Sequence, residues 1–135
     1  METRGEYSPE SVEAVRSLAD RLEPAARLVV REAAQAMDFD REEYRERVTD
    51  DVVETVRDAL LASLLAVTVG SRGEFDAWLA DRDLKVVEVG SEAVDNVVWH
   101  AYDGTVVAAT FQNEPDAAVA TLRRQAFGRL YRELL

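Results

Sequence analysis

Two seven-residue runs, Asn96–Tyr102 and Thr105–Phe111, stand on either side of Asp103-Gly104. Nothing else in the chain constrains its fold so tightly. Both runs are rich in Val, Trp, Tyr, Thr and Phe, which suit a pleated sheet. The Asp-Gly pair is a preferred two-residue type I′ turn, and that turn fixes the register of the strands it joins. His100 is then expected opposite Val107, and Tyr102 opposite Thr105. Side chains alternate along a strand, so Trp99 and Ala101 share one face while His100 and Tyr102 share the other. Both faces carry large or apolar groups, so the sheet needs cover on both sides.

Helices are expected before the hairpin. Ser8-Pro9 reads as a helix start, followed by Val12, Val15, Leu18, Ala19 and Leu22 at helical spacing. Pro24 is expected to interrupt the pattern. A second stripe then follows, made of Ala26, Val29, Val30, Ala33 and Met37. Asp40 with Glu43 has the form of a capping box opening a short helix from Arg41 to Val48. Thr49 or Asp50 caps a fourth helix with Val52, Val53, Val56, Ala59, Leu60 and Ser63 inward.

The period changes at Leu65. Residues 65–69 read as a buried strand, with continued helix the alternative. Gly70-Ser71-Arg72-Gly73 turns the chain, Glu74 starts a short helix with Phe75, Trp78 and Leu79, and Lys85–Val89 reads as a further strand. Asn113 is expected to cap a closing helix with Val119, Leu122, Ala126, Leu130 and Leu134 inward. The whole is a single α+β domain over residues 1–135. It has about four N-terminal helices, a small, mainly antiparallel sheet holding the 96–111 hairpin, and a C-terminal helix packed on that sheet.

Charge bounds the surroundings. There are 27 Asp plus Glu against 16 Lys plus Arg, a net charge of −11. Lys85 is the single lysine, so 16 − 1 = 15 cations are arginine. That balance resembles a cytosolic protein of an extreme halophile, where molar salt screens self-repulsion. A cytoplasmic location is expected, since Met1-Glu2-Thr3-Arg4-Gly5-Glu6 has no apolar signal region. No membrane association is expected, because the most apolar stretch, Ala59 to Val69, is about half the ~20 residues a spanning helix needs. The acidity argues against a nucleic-acid partner.

The strings Phe39-Asp40-Arg41-Glu42-Glu43-Tyr44, Asp50-Asp51-Val52-Val53-Glu54 and Arg123-Arg124-Gln125-Ala126-Phe127-Gly128-Arg129 resemble a small, uncharacterised haloarchaeal family, an acidic domain of unknown function of about this length. The resemblance spans essentially the whole chain. It implies no activity, cofactor or partner.

Few residues suggest chemistry. The absence of cysteine excludes disulfides, thiolate metal sites and cysteine nucleophiles. The only histidine, His100, excludes a site built from two imidazoles of one chain. No cofactor and no catalytic set is expected. Trp99, His100 and Tyr102 form the first candidate ligand or interface group, with His100 a possible base near neutral pH or a half-buried histidine under a helix or partner. Arg123 and Arg124, with Arg129 and Arg132, form the second. They suit the chain's own acidic helices, an acidic surface on a second subunit, or, least well, an anionic ligand. Asp50, Glu54 and Asp58 line one helical face and read as solvated, with Arg47 and Arg57 near enough to neutralise them. Gly70–Gly73 reads as a plain turn, with an anion cradle ahead of the following helix the alternative. The function these features favour is non-enzymatic: an interaction or accessory protein that binds itself or another protein. The alternative is a small-molecule binding domain or weak enzyme using His100, and it requires His100 to line an open cleft.

Overall fold

A computed structural model describes residues 1–135. It contains β1 (Glu2–Arg4), α1 (Val12–Ala36), α2 (Arg41–Arg47), α3 (Asp50–Leu64), β2 (Val67–Ser71), α4 (Arg72–Leu79), β3 (Lys85–Val89), β4 (Asn96–Tyr102), β5 (Thr105–Phe111) and α5 (Pro115–Ala126). A π-helical turn, Phe127–Tyr131, and a 3₁₀ turn, Arg132–Leu134, extend α5. The architecture is α+β, as expected, with five α-helices. Three of them, not four, lie between β1 and β2, the first of the other four strands.

The hairpin forms with the expected ends. Asp103 and Gly104 both adopt positive φ (46° and 79°), as a type I′ turn demands, and His100 sits opposite Val107. The sheet runs in the order β1-β2-β4-β5-β3. Three of its pairings are antiparallel, and β3 lies parallel to β5. The sheet is therefore mixed. β1 was not anticipated, because Glu2-Thr3-Arg4 has no apolar pattern. Its backbone completes the open edge of β2.

Several local expectations give way to tertiary packing. α1 starts at Ser11, not Ser8, and the Ser11 hydroxyl accepts the Ala14 N–H at 3.1 Å. The helix runs straight through Pro24. Proline removes the hydrogen bond to the Asp20 carbonyl, but both residues face solvent, so water can satisfy that oxygen. Buried residues on both sides of Pro24, including Leu18, Ala19, Ala26 and Val30, hold the helix together. α3 continues to Leu64, so the strand begins at Val67, two residues later than expected. Glu114, not Asn113, occupies the N-cap of α5, with Pro115 next.

Both faces of the hairpin are covered within the chain. α4 packs Phe75 and Trp78 on one face, against Trp99, Val97, Val106 and Ala108. Phe75 and Trp99 rings lie 4.9 Å apart. The main core fills the other face, joining Val15 and Leu18 of α1, Leu61 of α3, Val98 and Val107 of the hairpin, and Leu122, Phe127 and Tyr131 of the closing segment. A third, smaller core of Ala26, Val30 and Val53 contains no strand residue. It lies where α1, about 37 Å long, runs past the sheet with α2 and the start of α3.

Candidate functional site

The joint between α3 and β2 is where two of the sequence candidates, His100 and Arg123, meet. Here the chain leaves a helix and enters a strand, and its carbonyls need partners away from regular structure. Arg123 Nε donates to Leu65 O at 3.0 Å. His100 Nδ1 lies 2.5 Å from Ala66 O. The main chain of the first residues closes the rest: the Tyr7 N–H donates to Leu64 O, and the Ala66 N–H to Tyr7 O. Gly5, with φ +94°, permits this close approach. A Cβ there would fall 2.5 Å from Leu65 O and 2.8 Å from the Arg123 guanidinium.

His100 is sealed, with 3 % of its surface exposed. Its other nitrogen, Nε2, is 2.5 Å from the Tyr131 hydroxyl. A carbonyl can only accept, so Nδ1 carries the proton and Nε2 accepts from the tyrosine O–H. Burial pushes the imidazole pKa below its ordinary value, against a smaller opposing effect of the Ala66 carbonyl. Burial, with the nearby Tyr102, pushes the Tyr131 phenol well above its ordinary range. Both groups are therefore neutral at pH 7, and their bond joins β4 to the closing segment. The Tyr102 ring packs against that of Tyr131 at a tilt of 55°, 4.9 Å between ring centres. Trp99 is buried on the opposite face. The first candidate group is thus split by the sheet. His100 lines no cleft, and the geometry that a His100-based enzyme requires is missing. Tyr131 was the residue that sequence reasoning missed, and its separation of 31 positions from His100 left no local signal.

Other expectations meet similar ends. The start of α4 is filled from within: the Ser71 hydroxyl accepts the Glu74 N–H, and the Glu74 carboxylate accepts the Ser71 N–H at 2.9 Å and the Met1 ammonium at 2.8 Å. The Arg72 N–H is also taken, by the Asp95 carbonyl. Asp58 pairs with Arg57 at 3.0 Å, and Arg47 stacks over the Phe39 ring at 5.5 Å instead of reaching Asp50. Arg123, as described, is spent on the α3–β2 joint. Arg124 is exposed on a groove between α3 and the closing segment. None of Arg123, Arg124, Arg129 or Arg132 pairs with a carboxylate, so the expected pairing with the chain's own acidic helices does not form.

What remains open is the far end of α1. The apolar stripe read from the sequence is wider than the strip the fold covers. Ala26, Val30 and Ala34 are buried, but Val29, Ala33 and Met37, read as inward, face out. Val52 of α3, also read as inward, is exposed beside them. Of the eight exposed large apolar residues, five (Leu28, Val29, Met37, Tyr44 and Val52) fall between positions 28 and 52. Met37 is 63 % exposed and Leu28 54 %. Between α1, α2 and α3 lies a cavity of about 230 Å³, nine of whose ten lining residues are apolar. Arg47 is the exception. Patches of this kind on a monomer commonly mark contact surfaces.

A family model decides the wider affiliation, matching residues 6–132. The chain belongs to a family of unknown function (DUF5809). The DUF5809 match takes in every α-helix and four of the five strands, leaving out β1. It also spans the joint, the sealed His100–Tyr131 pair and the apolar end of α1. No curated protein and no solved structure matches the chain. No helix is long and apolar enough to cross a membrane.

Proposed function

We propose that this chain acts by association rather than catalysis, joining a second copy of itself through the apolar end of α1, α2 and α3, in a cytosol of molar salt. The observation that carries this reading is the cluster of apolar residues that the helical pattern marks as core and the fold leaves outside: Val29, Ala33, Met37 and Val52. Burying such surface is favourable by roughly 25 cal/mol per Å². The cavity, at about 230 Å³, is below the roughly 300–1,000 Å³ of small-molecule pockets, so it suits a side-chain knob. Met37, on the lining of the cavity and 63 % exposed, offers a knob to a partner's cavity, which makes the surface self-complementary in the manner of a two-fold interface. The hairpin offers no such surface, since α4 and the main core cover its two faces. Charge opposes pairing, because each copy carries −11. At ~1 M salt the Debye length falls to ~3 Å and that repulsion is largely screened.

A stable interface buries roughly 1,200–2,000 Å², more than an average exposed patch offers, so the dimer is expected to be weak and concentration-dependent. Sedimentation equilibrium in ~2 M KCl tests it. The wild-type chain should shift toward dimer across the micromolar range, while Met37→Asp and Val52→Asp remain monomeric with unchanged circular dichroism. A strict monomer, or a dimer that both substitutions leave intact, would overturn the reading.

A further inference from the structure

The geometry points to an oxyanion-binding site in the groove between α3 and the closing segment, taking a small ligand that joins a carboxylate or phosphate to a compact apolar body. This inference is independent of the association surface. It starts from charge. The sixteen residues Ala117–Arg132 hold four arginines and no Asp or Glu, whereas the rest of the chain has 16 − 4 = 12 cations and all 27 carboxylates. None of these four pairs with a carboxylate. Two of them have other employment: Arg123 holds Leu65 O, and Arg129 Nε donates to Gln125 Oε1 at 3.0 Å. The other two, Arg124 and Arg132, line one groove of about 380 Å³ with Phe127, Ala59, Ala62 and Asp58.

The backbone places the second guanidinium. The N–H of Arg132 bonds to the carbonyl of Phe127, five residues back, so the turn is a π-turn. Such wide turns are frequent at functional sites. Here it lays the Arg132 guanidinium over the Phe127 ring, 5.5 Å from its centre. Arg124 keeps only a long contact of 3.5 Å to Thr121 Oγ1. The single carboxylate on the facing wall is neutralised, because Arg57 Nε and Nη2 lie 3.2 and 3.0 Å from Asp58 Oδ1. The groove therefore offers two free planar forks, suited to oxyanions, over an apolar floor of Phe127, Ala59 and Ala62. Its volume lies within the range of small-molecule sites.

Calorimetric titration of the full chain in ~1 M KCl tests this, since contact ion pairs survive where long-range fields do not. The probes are inorganic phosphate, benzoate and a glutamate-rich hexapeptide. Saturable one-to-one binding of benzoate or phosphate is expected, and whichever binds identifies the oxyanion. Arg124→Gln and Arg132→Gln should each weaken it by about tenfold or more, the usual loss for a charged hydrogen bond. Arg129→Gln, a control on the same helix, should leave it unchanged. Absence of binding by both small anions, equal binding in the Arg124→Gln/Arg132→Gln double variant, or an equal loss in Arg129→Gln would overturn the site. Binding of the peptide alone would also overturn it, and would assign the groove to an acidic protein segment.

Discussion

The two halves of α1 meet different neighbours. Val15, Leu18 and Ala19 press on the sheet side of the molecule, where α3, the hairpin and the closing segment enclose them. Ala26 and Val30, beyond Pro24, meet α3 and Val48, the residue after α2, with Val53 as their one buried contact across the helix pair. The same helix is thus a wall of a closed core at one end and half of an open groove at the other. Apolar spacing is nearly the same in both halves. What differs is how many elements converge on it, and convergence determines whether an apolar stripe becomes core or surface.

The largest test of this contrast removes bulk from each region. Trp99→Ala, under α4, should cost ~3–5 kcal/mol, whereas Met37→Ser at the open end should stay within ~0.5 kcal/mol. Urea unfolding would measure both. Comparable losses would mean that the distal end is as closed as the sheet core. A middle-sized effect concerns the polar centre. Tyr131→Phe deletes the donor to His100 Nε2 and leaves a buried acceptor unpaired, at ~1–3 kcal/mol.

That centre also sets a pH dependence. Below about 6.5 an unfolded chain takes up a proton on His100, which burial makes the folded chain resist. The unfolded state then binds more protons, so stability falls as pH falls. The contribution of His100 is whole above pH ~6.5 and is lost progressively below it. Unfolding midpoints at pH 7 and 5.5 should therefore separate more for the wild type than for His100→Gln. Equal separation would show that His100 is reached by solvent. The smallest effect is dynamic. Amide exchange should be faster at residues 28–36 of α1 than at residues 14–20, because fewer buried contacts resist local opening at that end. Uniform protection would erase the distinction between the halves.

The sequence is legible where local chemistry and tertiary packing agree. The hairpin is such a case: Asp103-Gly104 sets the turn, alternation sets the faces, and nothing distant contradicts either. The short α2 is another, since Asp40 caps it by accepting the Glu43 N–H at 2.8 Å. Legibility fails where distant elements decide. Pro24 obeys a local rule that helps end helices, but buried neighbours on both sides override it. β1 exists because β2 has a free edge 63 or more positions away. For the site, sequence named His100 and Arg123 without their purpose, since the carbonyls they satisfy are 34 and 58 positions distant. Arg124 and Arg132 could be seen as basic, but only the π-turn brings them to one groove.

The place of the hairpin in the sheet has a consequence for synthesis. β4 and β5 form the middle of the five strands, yet they are made after all three N-terminal helices. As the chain leaves the ribosome, α1 and α3 emerge with Val15, Leu18 and Leu61 exposed and no sheet to receive them. At ~5–20 residues per second, several seconds pass before Tyr131 arrives to close over His100. During that interval the helical pair keeps an apolar face open, until the strands and Tyr131 arrive to shut it.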